Sequence, residues 1–307
     1  MAPRIVQLHS QVFATLIASS TLFLAIIHPS LAHSRKLFES PEEPANSSHF
    51  GSLDEVRLYL ERFGYKEKSP GDPNGSNSTE ASLFAAIGLY QEKNHLNVTG
   101  KLDPETEATM MTPRCRMPDI FPADHYHHHH HGGKLFHVVA HYSFFRNMHP
   151  WTKRDMTYRF KYTAPRVSLA DLRAIFDRVF QRWSAVTTFK FREAGNGERA
   201  DISIGFFTWN HGDGKPFDGP GHVVAHAFAP QDGRLHFDGS EHWSTANPTR
   251  TQIDLESVAM HEMGHILGLM HSTVKNAIMY PSFHPGGIKR ELQKDDIDGI
   301  HALYHSK

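Results

Sequence analysis

The stretch His261-Glu262-Met263-Gly264-His265-Ile266-Leu267-Gly268-Leu269-Met270-His271 constrains this chain more than any other. His261 and His265 stand four residues apart, so a helix carries both imidazoles on one face, within reach of a single ion. Glu262 follows the first histidine, where its carboxylate can touch a metal-held water without taking a ligand position. Gly268 lets the backbone leave the helix, and His271 can then return as a third nitrogen ligand. A fourth position left open to water separates a catalytic zinc from a closed structural one. A bare His-Glu-x-x-His also occurs on His-rich helices that hold no metal. The glycine and third histidine at these offsets make that a poor account of this stretch.

The pattern His-Glu-x-x-His-x-x-Gly-x-x-His is the metzincin signature, and Met279 in Ala277-Ile278-Met279-Tyr280-Pro281 looks like that clan's Met-turn. Among metzincins the chain most closely resembles the matrix metalloproteinases (matrixins), particularly the short plant type without a hemopexin-like domain. The resemblance covers most of the chain after its leader. It implies an α+β (α/β sandwich-like) catalytic domain with a twisted mixed sheet and long helices, preceded by a small all-helical pro-domain. It further implies a metalloendopeptidase in which Glu262 is the general base and His261, His265 and His271 hold the catalytic Zn2+. Met279 would pack beneath those ligands, and Pro281 resembles a residue in the wall of the primary specificity pocket.

A chain of 307 residues with 39% apolar content can form two modest domains, each with a core. Its formal charge of −1, with no sustained basic arm at either end, gives nucleic-acid binding no electrostatic footprint. Residues 1–32 read as a secretory signal peptide: Arg4 at the basic start, an apolar run from Val12 to Ile27, and Ser30-Leu31-Ala32 as a small-x-small cleavage site. That run is interrupted by Ser and Thr and is short for a membrane span. No second hydrophobic stretch follows, so the expected product has no transmembrane anchor and is secreted to the extracellular space (the apoplast if from a plant); a monomer is expected. Sequons at Asn46, Asn74, Asn77 and Asn97 all precede the catalytic segment.

The expected organisation is a pro-segment at 33–135 and a catalytic domain at 136–307. After a disordered lead-in, Leu53, Val56, Leu60 and Phe63 pattern an amphipathic helix ended by Gly64. A Gly/Asn/Ser/Pro loop precedes a second helix over 79–93 with Leu83, Ile87 and Tyr90 inward, and Pro104 opens a third. Leu96 to Asp103 is similar to the matrixin pro-domain repeat, a relative of peptidoglycan-binding modules. The tract from His125 to His131 reads as a flexible linker without fixed metal geometry, and activating cleavage is expected within or just after it. Beyond it, 156–162, 200–207, 189–191 and 223–229 read as strands. Ser168 and Asp171 form a capping box before a stripe of Leu172, Ile175, Phe176, Val179 and Trp183. Asp254 can cap the metal-site helix, and 295–304 closes the chain as a short helix.

Two further ion groups precede that helix. His211, Asp213, His226 and His236 supply a saturated set without an adjacent base, as a structural zinc requires. The stretch His211 to Gly219 resembles the matrixin structural-metal loop. Asp218, with the carbonyls of Gly219, Gly221 and Val223, resembles a Ca2+ loop completed by Asp238 and Glu241, and hard oxygens beside permissive glycines suit calcium. Asp201 matches one ligand position of a second family calcium site. Arg234 stands where that site usually contributes acid, which argues against ordinary binding there.

A chain with one cysteine, Cys115, cannot form an internal disulfide. Pro113-Arg114-Cys115-Arg116-Met117-Pro118-Asp119 is similar to the matrixin cysteine switch, whose thiolate takes the fourth zinc position and excludes water in the latent form. Arg114 would anchor the segment through a carboxylate. Arg116 replaces the family's glycine: strain at that position would weaken latency, whereas an acidic partner near the cleft would reverse the outcome. The sequence alone does not decide between them, and weaker latency is the favoured expectation. The implied product is a secreted zymogen that cleaves extracellular proteins or peptides after activation by another protease. The competing class is a secreted binding module on an inactive protease scaffold, or a carbohydrate-binding pro-domain. A binding module has no need of Glu262.

Overall fold

The computed structural model describes residues 50–65, 80–120, 141–145 and 148–304. The expected leader, lead-in, loop at 69–78, histidine tract and the sequons at Asn46, Asn74 and Asn77 lie outside them, whereas Asn97 is described and exposed. Helices α1 (Leu53–Arg62), α2 (Glu80–Lys93) and α3 (Pro104–Met110) form the N-terminal layer. Ser52 caps α1 by accepting the Glu55 N–H, and Asp103 caps α3 by accepting the Thr106 N–H at 2.9 Å. Buried Gln91 ties the following loop to α2: its amide reaches Thr106 Oγ1 at 2.8 Å, and its carbonyl accepts the N–H groups of Thr99 and Gly100.

The periodicity of α1 misplaces one residue. Leu53 is 55% exposed, and Tyr59 takes the inward position instead, with its ring 4.7 Å from Phe63 and 5.9 Å from Tyr90. Two residues from far along the chain, Phe217 and Val223, complete the cluster formed by Val56, Leu60, Ile87 and Tyr90.

The second layer is a six-stranded mixed sheet of β1 (Arg114–Cys115), β2 (Asp155–Tyr162), β3 (Lys190–Glu193), β4 (Ile202–Phe207), β5 (Val223–Ala227) and β6 (Arg234–Asp238), in the order β1-β5-β6-β4-β2-β3. All pairs are parallel except β5 with β6. A two-stranded sheet joins β7 (Trp243–Ser244) to β8 (Ile253–Asp254). The sequence reading set β3 one residue early and ran β5 two residues long, to 229. It missed β6 altogether, because Arg234, His236 and Asp238 alternate there with Leu235 and Phe237. That alternation is a strand period in which the polar His236 and Asp238 are buried too, while Arg234 is half-buried.

Helix α4 (Leu169–Ala185) begins at the Ser168/Asp171 capping box and buries Leu172, Ile175, Phe176, Val179 and Trp183 as expected, with Phe180 added. Helix α5 (Leu255–Leu267) is capped by Asp254 and buried along its whole length. The two helices are joined by the Trp183 indole N–H, which donates to the Met260 carbonyl, and by Glu256, which accepts from Arg178 and Arg182. Helix α6 (Lys294–Tyr304) closes the domain. Among the described residues no helix is long and apolar enough to cross a membrane.

Candidate active site and metal centres

Helix α5 ends at Gly268, whose φ of 108° is open to glycine and costly for other residues. The chain turns there and brings His271 back beside His261 and His265. Each imidazole is oriented through Nδ1, which donates to the Ile278 carbonyl from His261 (2.7 Å), to the Leu269 carbonyl from His265 (2.8 Å) and to Asp119 Oδ1 from His271 (2.7 Å). With Nδ1 as the donor, the tautomer is set and each Nε2 keeps its lone pair for the shared space between the rings. Burial, then the neighbouring imidazoles, holds His261 and His265 well below the usual histidine range, so both stay neutral.

The Nε2 atoms of His261 and His271 are buried with no hydrogen-bond partner in the protein, and that of His265 lies 3.5 Å from Cys115 Sγ. One ligand atom from each of these four residues lies within 4.8 Å of all the others. Bare lone pairs gathered out of water are unfavourable without a cation, and a set of three imidazoles and a thiol fits zinc. Met279 packs from below: a Cβ at Gly264 would fall 2.2 Å from its Sδ, so only glycine lets the helix rest on that sulfur.

Glu262 is completely buried beside this group. Burial pushes its carboxyl up to about 8, against the lowering effects of the Cys115 thiol and Lys215. Burial, and then the Glu262 charge, raises the thiol of Cys115.

The segment around Cys115 lies as a strand between two edges. On one side Arg114 N–H donates to the His222 carbonyl at 2.6 Å and Arg116 N–H to that of Ala225 at 3.0 Å, along β5. On the other, Cys115 N–H donates to the Pro281 carbonyl at 2.9 Å, and Phe283 N–H to that of Pro113 at 2.7 Å. The anchor foreseen for Arg114 is Asp119, 2.5 Å away, with the guanidinium stacked 3.6 Å over the Phe63 ring. Asp119 also accepts from the Tyr65 hydroxyl at 2.7 Å. Burial alone would raise its carboxyl, but Arg114 and His271 outweigh that and hold it well below the usual range.

Arg116 overturns the strain expectation. It is absent from the residues with positive φ, and its guanidinium donates to the Pro216 carbonyl at 2.9 Å. The arginine therefore adds a contact where glycine would have none.

The second group converges on one oxygen. Asp213 Oδ2 lies 2.9 Å from His211 Nε2, 2.7 Å from His226 Nε2 and 3.0 Å from His236 Nδ1. His226 and His236 face each other across β5 and β6. Burial brings their pKa values to about 3 and about 4, leaving neutral rings suited to a metal.

Beside them, Asp218 Oδ1 accepts the Val223 N–H, Glu241 Oε1 accepts the Gly221 N–H, and Asp238 Oδ2 is buried without a partner. Burial raises Glu241 to about 8 and raises Asp238, and in each case a neighbouring carboxylate adds to the rise. Crowded carboxylates of this kind fit a hard cation. Gly219 and Gly221, at φ of 85° and 111°, shape the loop.

Asp201 does not gather an acidic set. Its Oδ2 is held by the Lys153 ammonium at 2.6 Å and by the N–H and hydroxyl of Thr157, while Arg234 pairs with Asp232. The partner of Asp201 is thus an ammonium rather than a second acid.

A helix-and-turn trio of histidines with an adjacent buried glutamate, set under the edge of a mixed sheet, defines a metalloendopeptidase. Residues 150–305 match the family model described as matrixin, and residues 52–110 match the putative peptidoglycan binding domain. The chain belongs to the matrixin family. It is 42% identical to metalloendoproteinase 5-MMP of Arabidopsis thaliana, over 83% of this chain and 72% of that protein. It is 41% identical to metalloendoproteinase 1 of Glycine max, over 83% of each. Interstitial collagenase of Bos taurus is 36% identical over 82% of this chain, which spans 49% of that protein.

Proposed function

We propose that this metalloendopeptidase is made as a secreted zymogen, with residues 1–32 as signal peptide, 33–135 as pro-segment and 136–307 as catalytic domain. Cys115 is the zinc ligand of the latent form. The observation that carries this reading is the approach of Cys115 Sγ to His265 Nε2, inside the same 4.8 Å group as His261 and His271. His261, His265 and His271 hold the catalytic zinc, which when bound polarises the scissile carbonyl and acidifies the attacking water.

The remaining chemistry belongs to the chain. Once the switch segment leaves, an extended peptide takes its bed between β5 and residues 281–283, using the same backbone donors and acceptors. Glu262 accepts the proton of the attacking water and delivers it to the leaving amine nitrogen. A carboxyl raised toward neutrality by burial is suited to both transfers. The nonpolar floor made by Met279 and Gly264 holds the trio rigid.

His211, Asp213, His226 and His236 serve a structural zinc. Asp218, Asp238 and Glu241, with the carbonyls of Gly219, Gly221 and Val223, serve a calcium. Exposed Asn97 is a glycosylation acceptor. The test is cleavage of a quenched-fluorescent peptide library by the intact chain, before and after treatment with a thiol-reactive mercurial, with and without a zinc chelator. Activity released by the mercurial and abolished by the chelator is expected. Equal activity of untreated wild type and Cys115→Ser would sink the switch.

A further inference from the structure

The N-terminal layer and the Cys115 segment converge on one loop, residues 216–223. The Arg116 guanidinium donates to the Pro216 carbonyl at 2.9 Å, and the Arg114 N–H donates to the His222 carbonyl at 2.6 Å. Arg62, the last residue of α1, reaches Asp218 Oδ2 at 3.2 Å. Phe217 and Val223 are buried in the apolar cluster of α1 and α2. These contacts can form together only if the loop keeps one backbone shape.

That shape is set by carboxylates. Asp218 Oδ1 accepts the Val223 N–H at 3.1 Å, and Glu241 Oε1 accepts the Gly221 N–H at 2.7 Å. Asp238 Oδ2 is buried with no partner. After burial, Asp238 and Asp218 both raise the Glu241 carboxyl, so the three lie close enough to repel one another.

A cation held by these groups has two opposing effects on the contacts above. Offsetting the charge of Asp218 weakens its pull on Arg62. Relieving the repulsion holds the loop in the shape that α1 packs against. The first effect is small, because the Arg62 and Asp218 side chains are 40% and 27% exposed and such pairs contribute little in water. The second acts on the backbone of the whole loop, whose ordering the docked layer must otherwise supply by itself. Ordering wins.

We propose that the loop carrying Asp218 couples calcium binding to the seating of the pro-segment. With the ion held by Asp218, Asp238 and Glu241, α1 and the Cys115 segment sit more tightly. By linkage, a seated pro-segment raises the affinity for calcium by the same factor. The inference rests on the calcium reading of this site. It gives the ion a role besides overall stability: a fall in calcium loosens the latent form.

The test is hydrogen–deuterium exchange on the intact chain, read by mass spectrometry, without calcium and at saturating calcium, with zinc and ionic strength held constant. Calorimetry on the same sample measures calcium binding. With calcium, the amides of α1 and of residues 114–116 should exchange about tenfold more slowly, beyond any change shared with the amides of α4, which report global opening. Glu241→Gln removes a carboxylate but none of the contacts made by Arg62, Arg114 or Arg116, and it should erase most of that difference. Should this variant fail to fold, the wild-type comparison decides alone. Protection confined to the loop and residues 238–241 would overturn the coupling while leaving the calcium site standing. Faster exchange in α1 with calcium would also overturn it, since the loss at Arg62 would then dominate. Absence of calcium binding by calorimetry would remove the calcium reading itself, and the coupling with it.

Discussion

Replacing Asp119 with asparagine should unlatch the segment that carries Cys115. The Arg114 side chain is 3% exposed, that of Asp119 is 10% exposed, and they meet at 2.5 Å. Removing one partner of a buried pair leaves the other charge uncompensated, at a cost of about 3–5 kcal/mol. Asparagine keeps an oxygen for the guanidinium, so the lower end, about 3 kcal/mol, applies to Asp119→Asn. Since each 1.4 kcal/mol is tenfold, the open population of the segment should rise on the order of 100-fold.

Cys115 reports that population directly. It is the only cysteine, and its side chain is fully buried when the segment is seated. Its labelling by a small thiol reagent should therefore follow local opening. Wild type and Asp119→Asn are compared as uncleaved chains, with a melting curve for each to separate local release from global unfolding. A labelling rate within threefold of wild type, with both proteins folded, would refute the energetic role given to the Arg114–Asp119 pair.

Four other outcomes are expected. Glu262→Gln should keep its zinc by elemental analysis while losing turnover by orders of magnitude, whereas His265→Ala should lose metal; full turnover of a pure Glu262→Gln sample would remove the proposed base. The intact chain should carry about two zinc ions and at least one calcium. Calcium at 100 times its Kd should add about 2.7 kcal/mol of stability, seen as a higher Tm that Asp218→Ala weakens. Arg116→Gly should loosen the latent form by about tenfold in residual activity of the uncleaved chain, because it removes the charge-assisted bond to the Pro216 carbonyl; unchanged or tighter latency would revive the strain account. Glu256→Gln should lower stability by about 2–3 kcal/mol, less than for a fully enclosed pair because Arg178 and Arg182 are partly exposed, as read from denaturant midpoints.

Much of this was legible because the catalytic group is local in sequence. His261, Glu262 and His265 share one helix, and Gly268 marks its end, so spacing alone brings the groups near one another. Caps at Ser168 and Asp254 were equally readable, since capping depends on neighbours three residues away. What stayed hidden depends on contacts between distant segments. The partner of His271 is Asp119, 152 residues earlier, and nothing in either local sequence announces the pairing. Strand β6 was hidden because His236 and Asp238 are buried within the proposed ion groups, against the usual polar-out alternation. At Arg116 the sequence left strain and pairing open, and only the fold shows that the backbone avoids positive φ and that the side chain finds Pro216.

The N-terminal layer does not own all of its core. Phe217 and Val223, which complete its cluster, are 3% and 1% exposed and belong to the loop and strand beside the ion groups. A three-helix unit this small has little apolar surface in reserve. Were the chain cut between Ile120 and His141, as the proposed zymogen reading requires, a departing N-terminal unit would forfeit those two side chains together with its tether. Return would require rebuilding a core from solution at ordinary dilution. On the proposed zymogen reading, the latent state would be a structure the chain assembles during its own folding, and release would work as a ratchet.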